Sequence, residues 1–131
     1  MGTLQYYNGD VYIGDWTDGE KSGKGTYTSK SGWKYQGEWA NDLCHGAGML
    51  EMGRGNCYNG SFHEGVMTGV GEYRMKNGDI YQGKMRENLR HGKGRYIWAS
   101  GEVFIGEFDS GNIVKGVFRH LDGTESEIDL T

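Results

Sequence analysis

From Val11 to Trp16 the chain alternates strictly, with Tyr12, Gly14 and Trp16 on one parity and Val11, Ile13 and Asp15 on the other. Alternation at period two sends the two sets to opposite faces of a strand, not around a helix. A polar stretch, Thr17 to Ser22, follows; then Gly23, Gly25, Tyr27 and Ser29 alternate with Lys24, Thr26 and Thr28. Two such runs around a Gly-containing polar stretch predict a β-hairpin. A six-residue loop, 17–22, would pair Trp16 with Gly23, Gly14 with Gly25 and Tyr12 with Tyr27. Paired residues share a face, so aromatic and glycine residues fall together.

The same pattern starts at Gly9 and returns every 23 residues, at Gly32, Gly55 and Gly78; a last copy from Gly101 reaches Gly123 one residue early. Fixed self-similarity at this period is the signature of a repeat array in which each unit touches mainly its neighbours. The predicted organisation is one array over 1–131. It comprises a half unit 1–8, units 9–31, 32–54, 55–77, 78–100 and 101–122, and a C-terminal cap 123–131. Keeping Tyr27 and Tyr35 on one face requires a three-residue joint, Lys30-Ser31-Gly32, and such loops end in a left-handed glycine. Positive φ is therefore expected at Gly32, Gly55, Gly78 and Gly101. In the fifth unit Lys115 stands where a loop glycine is expected, which leaves the local register open.

The fold class predicted is all-β: an elongated, twisted, single-layer antiparallel β-meander of tandem hairpins. Three rows should line one face: Tyr12, Tyr35, Tyr58, Tyr81 and Phe104; Trp16, Trp39, Phe62, Met85 and Phe108; Leu4, Tyr27, Leu50, Tyr73, Tyr96 and Phe118. Ten strands spaced by about 4.8 Å give a ribbon roughly 50 Å long, curled into a trough by strand twist. The strand glycines should leave room for neighbouring rings to lie flat. The charged tail, with Glu125, Glu127 and Asp129, suits a terminal strand that resists edge-to-edge growth. The strand from Gly2 to Tyr7 is an open edge, expected to meet a partner strand or another copy, a homodimer being one outcome.

Composition sharpens this picture. The chain holds 25 glycines and no proline among its 131 residues, and the glycines are phased to the repeat, as continuous strand ladders require. A net charge of −4 argues against nucleic acid as a partner. Cys44, placed in a turn, and Cys57, opening the next strand, should lie near opposite strand ends, roughly 20 Å apart and too far for a disulfide. Free thiols point to a reducing, cytoplasmic setting.

The pattern Gly-x-x-Tyr-x-Gly-x-Trp-x-x-Gly, carried by Gly9, Tyr12, Gly14, Trp16 and Gly19 and followed by Gly23 and Gly25, resembles the MORN (membrane occupation and recognition nexus) repeat. His45-Gly46 and His91-Gly92 supply that family's histidine-glycine step. The departures are Asp42 and Asn88 for the loop glycine, Ser22 and Thr68 for the histidine, and Met85 for the tryptophan. The resemblance implies a twisted hairpin ribbon without catalysis of its own. It is similar to scaffold and targeting parts of cytoskeletal proteins, or of larger enzymes.

No cofactor is indicated. Cys44, His45, Cys57 and His63 have zinc-binding residue types but lack the close ligand pairs of a zinc site. His45 and His91 recur at one repeat phase, which marks a turn role. No nucleophile–base–acid set stands out. Charge is uneven: Arg74, Lys76, Lys84, Arg86, Arg90, Lys93 and Arg95 crowd units three and four, while the last stretch is acidic. The reading that follows is a non-enzymatic interaction module. A peptide or helix of a partner protein would lie on Tyr35, Trp39, Tyr58, Phe62, Tyr73, Tyr81 and Tyr96, bordered by Arg74 and Lys84. The alternatives are peripheral binding of anionic membrane lipid through units three and four, and an accessory targeting segment of a larger enzyme.

Overall fold

The computed structural model describes residues 2–131; Met1, the first residue of the expected half unit, lies outside the described residues. The chain forms one open antiparallel sheet whose twelve strands follow one another in sequence order. They are β1 (Gly2–Gln5), β2 (Val11–Thr17), β3 (Glu20–Thr28), β4 (Lys34–Ala40), β5 (Leu43–Met52), β6 (Asn56–His63), β7 (Val66–Arg74), β8 (Ile80–Arg86), β9 (Leu89–Ile97), β10 (Val103–Asp109), β11 (Asn112–Arg119) and β12 (Glu125–Asp129). The half unit contributes β1 and the charged tail β12, so the ten strands counted from the full units become twelve.

Register bears out the parity argument. Tyr12 pairs with Tyr27, Tyr27 with Tyr35, Tyr35 with Leu50 and Leu50 with Tyr58. The file continues through Tyr73, Tyr81, Tyr96 and Phe104 to Phe118. The first and third predicted rows are thus one continuous file. A glycine file runs beside it, Gly14–Gly25–Gly37–Gly48–Gly60–Gly71, and on to Gly116. A Cβ added at Gly25, Gly48 or Gly71 would lie 2.2 Å from the hydroxyl oxygen of Tyr12, Tyr35 or Tyr58. The rings lie flat on the glycines, as expected, and fill the space a side chain would need.

The joints also match. Ser29 N–H donates to the Trp33 carbonyl at 2.8 Å and Gly32 N–H to the Ser29 carbonyl at 3.1 Å, closing the three-residue loop. Gly32, Gly55, Gly78 and Gly101 have φ of 108°, 86°, 97° and 101°.

The predicted six-residue loop is corrected. The strands run on to a two-residue turn at Asp18-Gly19, with Trp16 opposite Lys21, not Gly23, and Asp15 opposite Ser22. The extra residues of β3 form a bulge next to Gly14, and the same shift recurs in units two to four. Alternation alone does not register a bulge, because the faces match on both sides of an even insertion. The bulge has a use: Tyr12, Tyr35, Tyr58 and Tyr81 donate their hydroxyls to the carbonyls of Asp15, Glu38, Ser61 and Lys84 beside it. In the fifth unit the deleted residue is absorbed there, since Glu107 pairs directly with Lys115. Phe104, without a hydroxyl, occupies the tyrosine position of that unit.

Successive units are stapled at both ends. At the joints, Lys30, Lys76 and Ala99 N–H groups donate to the side chains of Asp10, Asn56 and Asp79 at 2.8–2.9 Å. At the tips, Asp42, Gly65, Asn88 and Gly111 N–H groups donate to the carbonyls of Lys21, Cys44, Met67 and Arg90. A second tip bond alternates in kind. Lys21 and Met67 N–H groups donate to the side chains of Asp42 and Asn88 in the turn above. Where that turn carries Gly65 or Gly111, the bond reverses: Glu64 and Ser110 N–H groups donate to Nδ1 of His45 and His91 below. The departures at Ser22, Asp42, Thr68 and Asn88 are therefore a second solution to the same interlock.

Candidate functional site

The aromatic face has two tiers. The lower tier is core: Tyr12, Tyr35, Tyr58, Tyr81 and Phe104 are fully buried. Trp39 meets Tyr35 and Tyr12 edge-to-face at 5.0 and 5.3 Å, and Phe62 meets Tyr58 and Tyr35 in the same way at 5.3 and 5.1 Å. Each such pair adds about 0.5–1.5 kcal/mol beyond area burial. Tyr35, Trp39, Tyr58, Phe62 and Tyr81, expected to face a partner, are thereby enclosed. The single layer buries these rings against one another.

Arg74 and Lys84 are not at the border of this face. Arg74 follows Tyr73 in β7 and pairs with Cys57 and Ile80, while Lys84 lies opposite Val70. Both belong to the reverse face, where Arg74 Nε donates to Glu72 at 3.1 Å. The correction follows from alternation itself, since a residue adjacent to a core tyrosine points the other way.

The upper tier lies toward the joints and contains Tyr73 and Tyr96 of the expected set, half-buried against the core. It also holds residues that the row analysis missed: Tyr6, Met52, Met75, Trp98 and His120 sit one alternation step beyond the tyrosine file. They share the repeat phase of Ser29, which the alternation reaches but the three rows leave out because the first unit carries a serine there. Trp98 lies 4.7 Å from Tyr96 and 5.3 Å from Phe118; Trp33 stacks on Tyr27 at 5.1 Å.

Two recesses open on this tier. One, of about 290 Å³, is lined by Tyr73, Met75, Met85 and Arg90. The other, of about 430 Å³, is lined by Arg90, Tyr96, Trp98, Phe108 and Ile113. The Arg90 guanidinium stands between them, 5.2 Å from the Tyr96 ring centre and 5.6 Å from that of Phe108. Lys21 holds the equivalent place in unit one, with its ammonium 3.0 Å from the Tyr6 hydroxyl and 3.3 Å from Asp42. Burial pulls the Lys21 ammonium down, but the Tyr6 hydroxyl and the Asp42 carboxylate outweigh it and leave its pKa raised.

Carboxylates at the joints orient the same tier. The Tyr96 hydroxyl donates to Asp79 at 2.6 Å and that of Tyr27 to Asp10 at 2.7 Å. The Tyr96 hydroxyl and then the Ala99 N–H hold Asp79 below the usual carboxylate range. Burial, then the Asp79 hydrogen bond, pushes Tyr96 up to about 12.

The reverse face carries a shallow groove of about 690 Å³ over the glycine file, lined by Lys93, Arg95, Ile105, Glu107 and Val117 among others. Lys84, Lys93 and Arg95 are exposed there. Cys44 lies on β5 opposite Trp39, not in a turn, and Cys57 lies on β6; both are free thiols. Burial pushes the Cys44 thiol up to about 11, which makes it a poor nucleophile. No three-ligand His, Cys, Asp or Glu group occurs among the described residues.

No curated protein matches the sequence. The TCP domain of SAS-4 (dCPAP) of Drosophila melanogaster, solved in complex with a proline-rich motif of Ana2 (dSTIL), is similar in structure, with a TM-score of 0.61 and 13% identity over 95% of this chain and 69% of that one. At that identity the likeness concerns the fold. The MORN repeat matches residues 12–34, 35–57, 58–80 and 81–103 in tandem. These four copies span most of the sheet, and the chain belongs to the MORN repeat family.

Proposed function

We propose that the protein is a non-enzymatic interaction module that receives a segment of a partner protein on the upper tier of its aromatic face. The observation that carries this reading is the pair of adjoining recesses bounded by Tyr73, Met75, Tyr96 and Trp98 above a core already complete without them. Half-buried aromatic and methionine side chains around an open recess suit apolar anchors, and methionine adapts to their shape. Support also comes from the family, and from the similar fold of a domain solved with a proline-rich motif. The test is a binding isotherm with a peptide selected on the whole chain. Trp98→Ala should weaken it at least tenfold, while Val70→Ser on the reverse face leaves it unchanged. Equal affinity for all three proteins would remove the reading.

A second reading draws on one further observation: exposed Lys84, Lys93 and Arg95 share the reverse face with exposed Val70 and Ile105. Basic side chains around apolar ones suit an anionic lipid surface. Co-sedimentation with phosphatidylserine-containing but not neutral vesicles is the expected result; equal, negligible binding to both would exclude it. The cytoplasmic setting and homodimerisation through β1 stand as proposals alongside.

A further inference from the structure

Arg90 is anchored but lacks the partner that its position has elsewhere in the chain. Lys21 and Arg90 occupy the same place in units one and four, each facing the hairpin tip of the following unit. At Lys21 that tip supplies Asp42, whose carboxylate lies 3.3 Å from the ammonium. At Arg90 the tip supplies Gly111, whose carbonyl accepts from Nη2 at 2.7 Å. No ion pair among the described residues includes Arg90. The space above the tip is open too: a Cβ added at Gly111 would meet only Leu89, at 3.9 Å, and the left-handed φ of 92° there is of the kind that Asp42 adopts, at 67°, in the same tip position. The guanidinium lies against the Tyr96 and Phe108 rings, bonds the Gly111 carbonyl and the Tyr96 hydroxyl, and keeps the rest of its five donors free; a recess opens on either side, the one by Met75 walled also by Asn56 and Asn88.

Resting on the reading above, we infer that Arg90 binds a carboxylate of the partner, and that the partner segment carries Asp or Glu between two apolar residues. The apolar residues fill the recesses by Met75 and Trp98, and the acid takes the place that Asp42 holds beside Lys21. Guanidinium–carboxylate pairs are directional and strengthened by partial burial, so the acid fixes register while the anchors supply affinity.

A random peptide library displayed against the whole chain tests this. The expected outcome is enrichment of Asp or Glu flanked by apolar residues. Replacing that acid by its amide in a synthetic copy should weaken binding about tenfold. Gly111→Asp should restore the unit-one arrangement and weaken the acidic peptide by a similar factor, while its amide copy binds both proteins alike. Arg90→Glu should shift selection toward Lys or Arg; should that variant fail to fold, the amide swap on the wild type decides. Peptides lost on Trp98→Ala but indifferent to the acid overturn this inference and leave the proposed function standing. Peptides indifferent to Trp98→Ala overturn both.

Discussion

The hydroxyl of Tyr35 donates to the carbonyl of Glu38 at 2.8 Å, and its ring covers Gly48 so closely that a Cβ there would sit 2.2 Å from the oxygen. One tyrosine therefore explains two requirements of the repeat: a glycine across the strand pair and a bulge three residues on. Removing only the hydroxyl, Tyr35→Phe, should cost about 1 kcal/mol by leaving the bulge carbonyl unpaired. Phe104→Tyr should also destabilise, because the register shift of that unit falls one residue later, between Glu107 and Phe108, and is one residue smaller than in units one to four. Urea unfolding of the two variants checks both signs.

Gly48→Ala should destabilise by about 2–3 kcal/mol, since the added methyl collides with a ring in a closed core. In a Tyr35→Leu background the added penalty should shrink, because the atom in collision is gone. A double-mutant cycle measures that coupling.

The fold was legible because strand, joint and face all follow from a two-residue period repeated every 23 residues. Tyr12, Tyr27 and the joint glycines carry enough information to fix the meander. The bulges were hidden because an even insertion leaves parity intact, so Trp16 could be set opposite Gly23 as plausibly as opposite Lys21. The site was less legible. Tyr58 and Phe62 read as a binding surface because a one-layer sheet has no second layer to cover them, yet neighbouring rings do so edge-on. Met75 and Trp98 lie just past the strand ends, and the difference between Lys21 and Arg90 depends on which residue occupies the next tip. That is a contact between units, which no single unit reveals.

The tip interlock predicts a compensated swap. Asp42→Gly should lose the acceptor for Lys21 N–H and cost about 1 kcal/mol. Adding Ser22→His should recover part of that loss by reproducing the bond that His45 makes to Glu64 N–H. Thermal unfolding of the two single variants and the double variant reads the coupling; strictly additive losses would contradict the interlock.

Acid should weaken the joints before the core. Asp79 has its folded pKa lowered, first by the Tyr96 hydroxyl and then by the Ala99 N–H. Its stabilising contribution is full above the unfolded value of about 3.9 and is lost as pH falls through the folded one. Urea midpoints of wild type and Asp79→Asn should therefore differ at pH 7 and converge toward pH 2. A gap that is constant across this range would show that ionisation of Asp79 contributes nothing.

The central claim is that a partner segment occupies the recesses beside Arg90 on the aromatic face. Methyl and indole NMR spectra of the whole chain, titrated with the selected peptide, address it directly, because the two faces carry different reporters. The account predicts saturable shifts at the Met75 and Met85 methyls and the Trp98 indole, with Val70, Ile105 and Val117 unmoved. Shifts confined to Val70, Ile105 and Val117 would place the partner on the reverse face and contradict it.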